Sequence, residues 1–307
     1  MSIMLSKKSR AAAVSVGSNS LLILLKIVAG LMTGSISLIA EAVHSSMDLA
    51  AAVIAFFSVR ISDNPADEGH PFGHGKAENI SAVAEALLIF AAAGIIVYEA
   101  VLKITRGTSL HFVEIGIVIM GVSIVVNLLV SRYLLRVSKK TDSLALEADA
   151  RHLTTDVMTM VGVLLGLGIV RLTKLNIFDP IAAIAVAVLI TKAAYDITRK
   201  SFGGLMDSRL PKSEEDLIRS IISEHAKQLA GFHAIRTRKA GSQRFIDLHL
   251  VLPNKVALEQ AHNMCDHLED DIKSRLPNSN VTIHVEPCAR QCDSCVVVCE
   301  FRAPARP

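Results

Sequence analysis

Six apolar runs, each close to the roughly 20 residues that cross a bilayer, fill the first 200 residues of this chain. They are Val14–Met32, Ile36–Val59, Ile80–Val101, Val113–Leu134, Leu144–Leu172 and Ile177–Ile197. In hydrocarbon a backbone must satisfy its own N–H and C=O groups, and a single run can do so only as a helix. The first part of the chain therefore reads as a bundle of six membrane helices. Composition agrees: of 307 residues 51% are hydrophobic and only 20% charged, an excess of aliphatic residues over that of soluble domains. The net charge of +3 and the lack of a basic, aromatic patch give no argument for nucleic acid. No small-residue cleavage site follows the first run, which reads as an uncleaved span rather than a signal peptide.

Loop charges set the orientation. Lys7, Lys8, Arg10, Arg60, Lys76, Arg132, Arg136, Lys139, Lys140, Arg199 and Lys200 fall on one side of such a bundle, against Lys103, Arg106, Arg171 and Lys174 on the other. Positive residues favour the cytoplasm, so both termini are expected there, which suits an even number of spans. Asp179-Pro180 looks like an N-cap with Pro at the first helical position of the sixth span. Gly94 and Gly162 are among the small residues expected to let spans pack closely.

After about residue 200 charges become frequent and apolar residues alternate in short patches. Ser213–Leu229 has helical spacing, His233–Lys239 and Arg244–Leu252 read as strands about Ala240-Gly241-Ser242, Val256–Leu276 as a second amphipathic helix and Asn280–Val285 as a last strand. The order αββαβ suggests a small α+β domain with helices on one face of a sheet. The chain thus divides into a six-span domain over 1–208, an αββαβ domain over 209–287 and a Cys-rich tail over 288–307.

Chemistry enters through a repeated spacing. His44 and Asp48 in the second run, and His152 and Asp156 in the fifth, are each four residues apart. At i and i+4 the side chains share a helix face, so two such helices face to face offer two nitrogens and two oxygens, a set suited to a tetrahedral divalent metal. Ionisable groups inside a membrane are expensive and point to function. Imidazole suits zinc, copper, nickel or cobalt better than magnesium or calcium. Metal needs neutral imidazole and ionised carboxylate, so its binding expels protons. An alternative partner for an Asp in a span is Arg151 or Lys26. A membrane metalloprotease would want His-Glu-x-x-His on one helix, and no such run occurs.

With the His-x3-Asp pairs at 44–48 and 152–156, the run His-Pro-Phe-Gly-His-Gly-Lys at 70–76, and Asp-Ala-Arg-His-x3-Asp at 149–156, the chain resembles the cation diffusion facilitator family of divalent metal transporters, over roughly Ser9 to Glu286. The resemblance implies six membrane helices before a ferredoxin-like, metallochaperone-like αββαβ cytoplasmic domain. It implies a homodimer in the lipid bilayer that exports metal from the cytoplasm in exchange for protons, by alternating access. The transport site would be His44, Asp48, His152 and Asp156, and His at the first position of each pair resembles the zinc branch, with iron, cadmium, manganese, cobalt or nickel as other cargoes. A metal sensor that transports nothing is a further reading. An inner, plasma-membrane location would follow for an exporter.

The resemblance also suggests a second metal site at Asp67, His70 and His74, where the alternative is a solvated loop turned by Gly73 and Gly75. It suggests a zinc site in the cytoplasmic domain from His233, His249, His262, His284 and Glu286, at the interface of two tails; ordinary surface histidines are the alternative. His267 reads as a surface residue and Cys265 as packing. Lys76 and Asp207 would form an ion-pair interlock between membrane domain and tail. Cys288, Cys292, Cys295 and Cys299 depart from the family. Their spacing puts four thiols on one helical stripe, able to bind soft metal or left as a reduced tail.

Overall fold

The computed structural model of the chain describes residues 6–33, 36–106, 114–173, 178–226, 229–253 and 255–288. It has two compact units, divided between Leu205 and Met206.

The first unit holds six long helices: α1 Lys7–Thr33, α2 Ile36–Ser62, α3 Ala77–Arg106, α4 Glu114–Thr141, α5 Leu144–Thr173 and α6 Phe178–Leu205. All six sequence runs are helical, and most of the helices outrun them by several residues. Hydropathy marks only the stretch within hydrocarbon, whereas the i to i−4 hydrogen bonding continues into the polar flanks. α6 is described from Phe178, so Asp179 already lies in the helix and Pro180 in its first turn. Pro is tolerated there because the first N–H groups of a helix have no partner to lose. Among the described residues α1, α3 and α4 each contain a stretch long and apolar enough to cross a membrane.

Apolar side chains exposed on the unit form stripes: Leu21, Leu24, Leu25 and Val28 on α1, and Val118, Val122, Val125 and Leu129 on α4. This helical spacing suits contact with lipid tails. Small residues fill the interior between helices, among them Ala82, Ala86, Ala148 and Ala194. A Cβ on Gly162 of α5 would come within 2.5 Å of Val186 on α6, while Gly94 faces open space. Close approach through a glycine is therefore found at the first and not at the second.

One polar knot ties the ends of four helices. Glu78, fully buried in the first turn of α3, accepts from Lys8 of α1 at 3.0 Å and from Ser62 of α2 at 2.8 Å. It also accepts from Ser143 at 2.6 Å and from the Ala145 N–H at the start of α5. Lys8 pairs in addition with Asp63 at 2.8 Å.

The second unit runs α7 Lys212–Glu224, β1 Gly231–Ala240, β2 Gln243–Leu252, α8 Leu258–Arg275 and β3 Ser279–Pro287. The sheet order is β1-β2-β3, with β1 antiparallel to β2 and β3 parallel to β2. A parallel neighbour needs a crossover, and α8 supplies it. Ile246, Leu248, Leu250 and Leu252 of β2 are buried with Ile218, Ile221 and Ile222 of α7 and Leu268 and Ile272 of α8. Alternation sends Asp247 and His249 to the opposite face. Cys265 is buried in this core as expected, and its thiol is pushed up by burial.

The helical spacing of Ser213–Leu229 is helical only in part: α7 ends at Glu224 with His225 as its C-cap. Leu229 is buried in the core without being helical, and its seven-residue spacing from Ile222 imitates a helical face.

Candidate metal centres

α2 and α5 bring three of the four expected transport-site residues together. His152 Nε2 lies 3.2 Å from Asp48 Oδ1. Asp156 is one turn beyond His152 on the same helix, and the three side chains offer ligand atoms all within 4.8 Å of one another. His152 is 5% exposed, and both aspartates are half-buried. His44 lies one turn before Asp48 on α2, and its side chain is outside what the structure describes. Arg151, one alternative partner for these carboxylates, is taken by Glu147 at 2.9 Å. Lys26 donates to Ser45 at 2.6 Å.

Two further carboxyl groups that sequence reading did not assign as metal ligands lie beside this centre. Glu85 of α3 and Asp149 of α5 are both fully buried. Glu85 accepts from Ser81 at 3.3 Å and is close enough to Asp149 and His152 to interact with both. The available signal was Asp149 three residues ahead of His152, on the same face. Carboxylates grouped in a poorly hydrated interior repel one another, and a divalent cation is the simplest counter-charge.

Asp67, His70 and His74, in the turn between α2 and α3, also meet in one cluster. Asp67 Oδ1 accepts from the His70 N–H at 2.6 Å, His74 Nε2 lies 3.3 Å from Asp67 Oδ2, and the two rings are 4.4 Å apart. Gly73, at φ +77°, makes the turn that L-residues avoid. The backbone N–H of His70 holds the Asp67 carboxyl below the usual carboxylate range, with the two imidazoles assisting.

On the sheet, strand register aligns three imidazoles. His233 of β1 is opposite His249 of β2, which is opposite His284 of β3. Ring centroids are 5.2 Å and 4.8 Å apart along this row. Glu286, two residues beyond His284 and so on the same face, lies 2.8 Å from His249 Nδ1 and 3.2 Å from His233 Nε2. His284 Nε2 is 3.9 Å from the same carboxylate. His262 is not brought to the row: it is exposed on α8, 3.6 Å from Asp266.

Cys288 is in extended chain, its N–H donating to the Leu252 carbonyl at 2.8 Å in continuation of β3, so the expected helical stripe of thiols does not include it. Cys292, Cys295 and Cys299 lie outside the described residues. Lys76 donates to the Leu205 carbonyl at 3.4 Å, and Asp207, at φ +54°, meets Arg238 at 3.4 Å.

The cation efflux transmembrane domain profile matches residues 12–206, and that of the cation efflux protein cytoplasmic domain matches residues 210–288. The chain is 35% identical over 276 residues to the uncharacterized transporter sll1263 of Synechocystis, covering 90% of this chain and 89% of that protein. It is 33% identical over 281 residues to the cation-efflux pump FieF of Salmonella paratyphi A, covering 92% and 93%. Among solved structures, the Zn form of CzrB is 35% identical, with a TM-score of 0.27, covering 28% of this chain and 97% of that one.

Proposed function

The chain belongs to the cation diffusion facilitator family of cation efflux transporters, and we propose that it is a proton-coupled exporter of divalent transition-metal ions, Zn2+ foremost. The observation that carries this reading is the convergence of Asp48, His152 and Asp156 between α2 and α5. His44, one turn from Asp48, completes a two-nitrogen, two-oxygen set. Such a set is borderline in softness and favours zinc over magnesium or calcium. Without thiolate it also holds its cargo loosely enough to release it.

Exchange with protons follows from the same contacts. Without metal, a proton belongs between His152 Nε2 and Asp48 Oδ1, 3.2 Å apart. Metal needs that nitrogen's lone pair, so proton and metal exclude one another. Protons arriving from the far side displace the ion outward, and metal arriving from the cytoplasm displaces protons. The domains divide as 1–208, 209–287 and 288–307. The protein is a homodimer in the plasma, or inner, membrane with both termini cytoplasmic.

The imidazole row at His233, His249 and His284, with Glu286, is the structural zinc site of the tail. His262 sits in the helix layer of its own chain and would reach a metal only against a second copy. Asp67, His70 and His74 form an exposed entry station at the cytoplasmic side. The tail cysteines Cys288, Cys292, Cys295 and Cys299 bind soft metal.

The test is uptake into proteoliposomes under an imposed pH gradient, comparing Zn2+, Fe2+, Cd2+, Mn2+, Co2+ and Ni2+. Zn2+ flux that needs the gradient and vanishes in Asp156→Ala is expected. Full flux in that variant overturns the site, another ion winning overturns the cargo, and binding with no flux of any ion marks a sensor.

A further inference from the structure

The His-x3-Asp spacing of α2 and α5 occurs again in the soluble domain, at His267 and Asp271 of α8. It meets a third residue there. His225 caps α7, and its Nδ1 lies 3.0 Å from the Ile221 carbonyl. A carbonyl only accepts, so Nδ1 carries the proton and a neutral ring presents a bare Nε2 on its other side. That Nε2 lies 3.3 Å from Asp271 Oδ2. Two lone-pair atoms face each other, an arrangement that calls for a proton or a metal ion between them. An imidazole whose far N–H is anchored on a backbone carbonyl is also how metal-bound histidines are held.

His267 closes the third side. Its ring stands edge-on to that of His225, centroids 5.1 Å apart, and the ligand atoms of His225, His267 and Asp271 all lie within 4.8 Å of one another. His225 is mostly buried, its side chain 13% exposed, whereas His267 is exposed and leaves a route for entry. Beside this cluster Arg275 of α8 grips Glu224 of α7 through two contacts of 2.7 Å. The clasp ties the two helices together and pairs the Arg275 guanidinium, which also interacts with Asp271, with the Glu224 carboxylate.

We propose that His225, His267 and Asp271 form a metal site for a borderline divalent ion such as Zn2+ or Co2+, with a fourth position open to water, that clamps the end of α7 to α8. It is separate from the imidazole row. α7 and α8 pack on the sheet face bearing Ile246, Leu248 and Leu250, while His249 faces the other way. Binding here rests on no transport step. His262 and Asp266 have the same spacing but no third ligand beside them among the clusters of described residues.

The experiment uses the full-length chain in detergent, stripped of metal and dialysed against Co2+. Bound metal is measured by mass spectrometry, and hydrogen exchange follows α7. Both His225→Gln and His267→Gln should bind one equivalent less per chain than the parent. Co2+ should slow exchange around Ile221 and Ile222 in the parent but not in His267→Gln. Because His267 is exposed, its replacement leaves the core intact, and apo-state exchange of β2 equal to the parent's verifies this. Unchanged stoichiometry in His267→Gln, or equal slowing of α7 in parent and variant, overturns the site and leaves an imidazolium–carboxylate pair. Stoichiometry is read without flux, so failure of transport and failure of this site are distinguishable.

Discussion

Lys8 and Glu78, 70 residues apart in the chain, meet at 3.0 Å with the carboxylate fully enclosed. Removing Lys8 takes the counter-charge from the enclosed Glu78 carboxylate, and an uncompensated buried charge costs about 3–5 kcal/mol. Glu78→Ala leaves Lys8 its contact with Asp63 but strands the donors of Ser62, Ser143 and Ala145. The expected outcome is a markedly lower melting temperature in detergent. An unchanged melting temperature would show that the knot does not hold the helix ends.

Glu85 offers a way to separate folding from transport. Glu85→Gln keeps the shape of the side chain and its acceptor for Ser81 but replaces the ionisable carboxyl beside Asp149 and His152 with an amide that cannot exchange a proton. Supporting residues around metal ligands are worth about 10–100-fold in affinity or activity. The expected result is flux lowered within that range, with the melting temperature of the parent retained. Parental flux would leave Glu85 without a part in the centre.

At Gly162 the available space decides the sign. A methyl group there meets Val186 Cγ2 at 2.5 Å, and over-packing of this kind costs about 1–3 kcal/mol. Gly162→Ala should therefore lower thermal stability, whereas Gly94→Ala, with open space around it, should raise it slightly or leave it unchanged. Equal effects at the two positions would contradict the close approach of α5 and α6.

The turn cluster makes a prediction about pH. The folded-state pKa of Asp67 is lowered by the His70 N–H. Its carboxylate therefore stays ionised as pH falls through the ordinary aspartate range and is neutralised only below it. Followed by NMR of its carboxyl carbon, Asp67 should therefore titrate below the ordinary aspartate range. Titration within that range would show that the His70 N–H does not hold the carboxylate.

Much of this was legible in the sequence because the bilayer and the sheet impose strict periods. Six runs of membrane length became six helices, and the order αββαβ is found with strand ends displaced by a few residues. His152 and Asp48 could be expected to meet because i, i+4 spacing fixes a face. Periodicity does not fix pairing in three dimensions. The alignment of His233, His249 and His284 depends on a parallel register that no local signal encodes. His225 was hidden because α7 read as one longer helix through Leu229, so the cap had no distinct signature. For Glu85, sequence leaves a partner of the metal ligands, a cavity-lining group and a helix-end charge equally open, and only its burial separates them.

The parallel pairing of β3 with β2 has a consequence for how the protein is made. β1 and β2 form a hairpin as soon as both are synthesised, but β3 follows every other described element. His284 and Glu286 therefore reach the row last, after the membrane helices have left the ribosome. A nascent chain that stops short of β3 displays only His233 and His249, so the four-residue cluster on the sheet assembles only once β3 has been made.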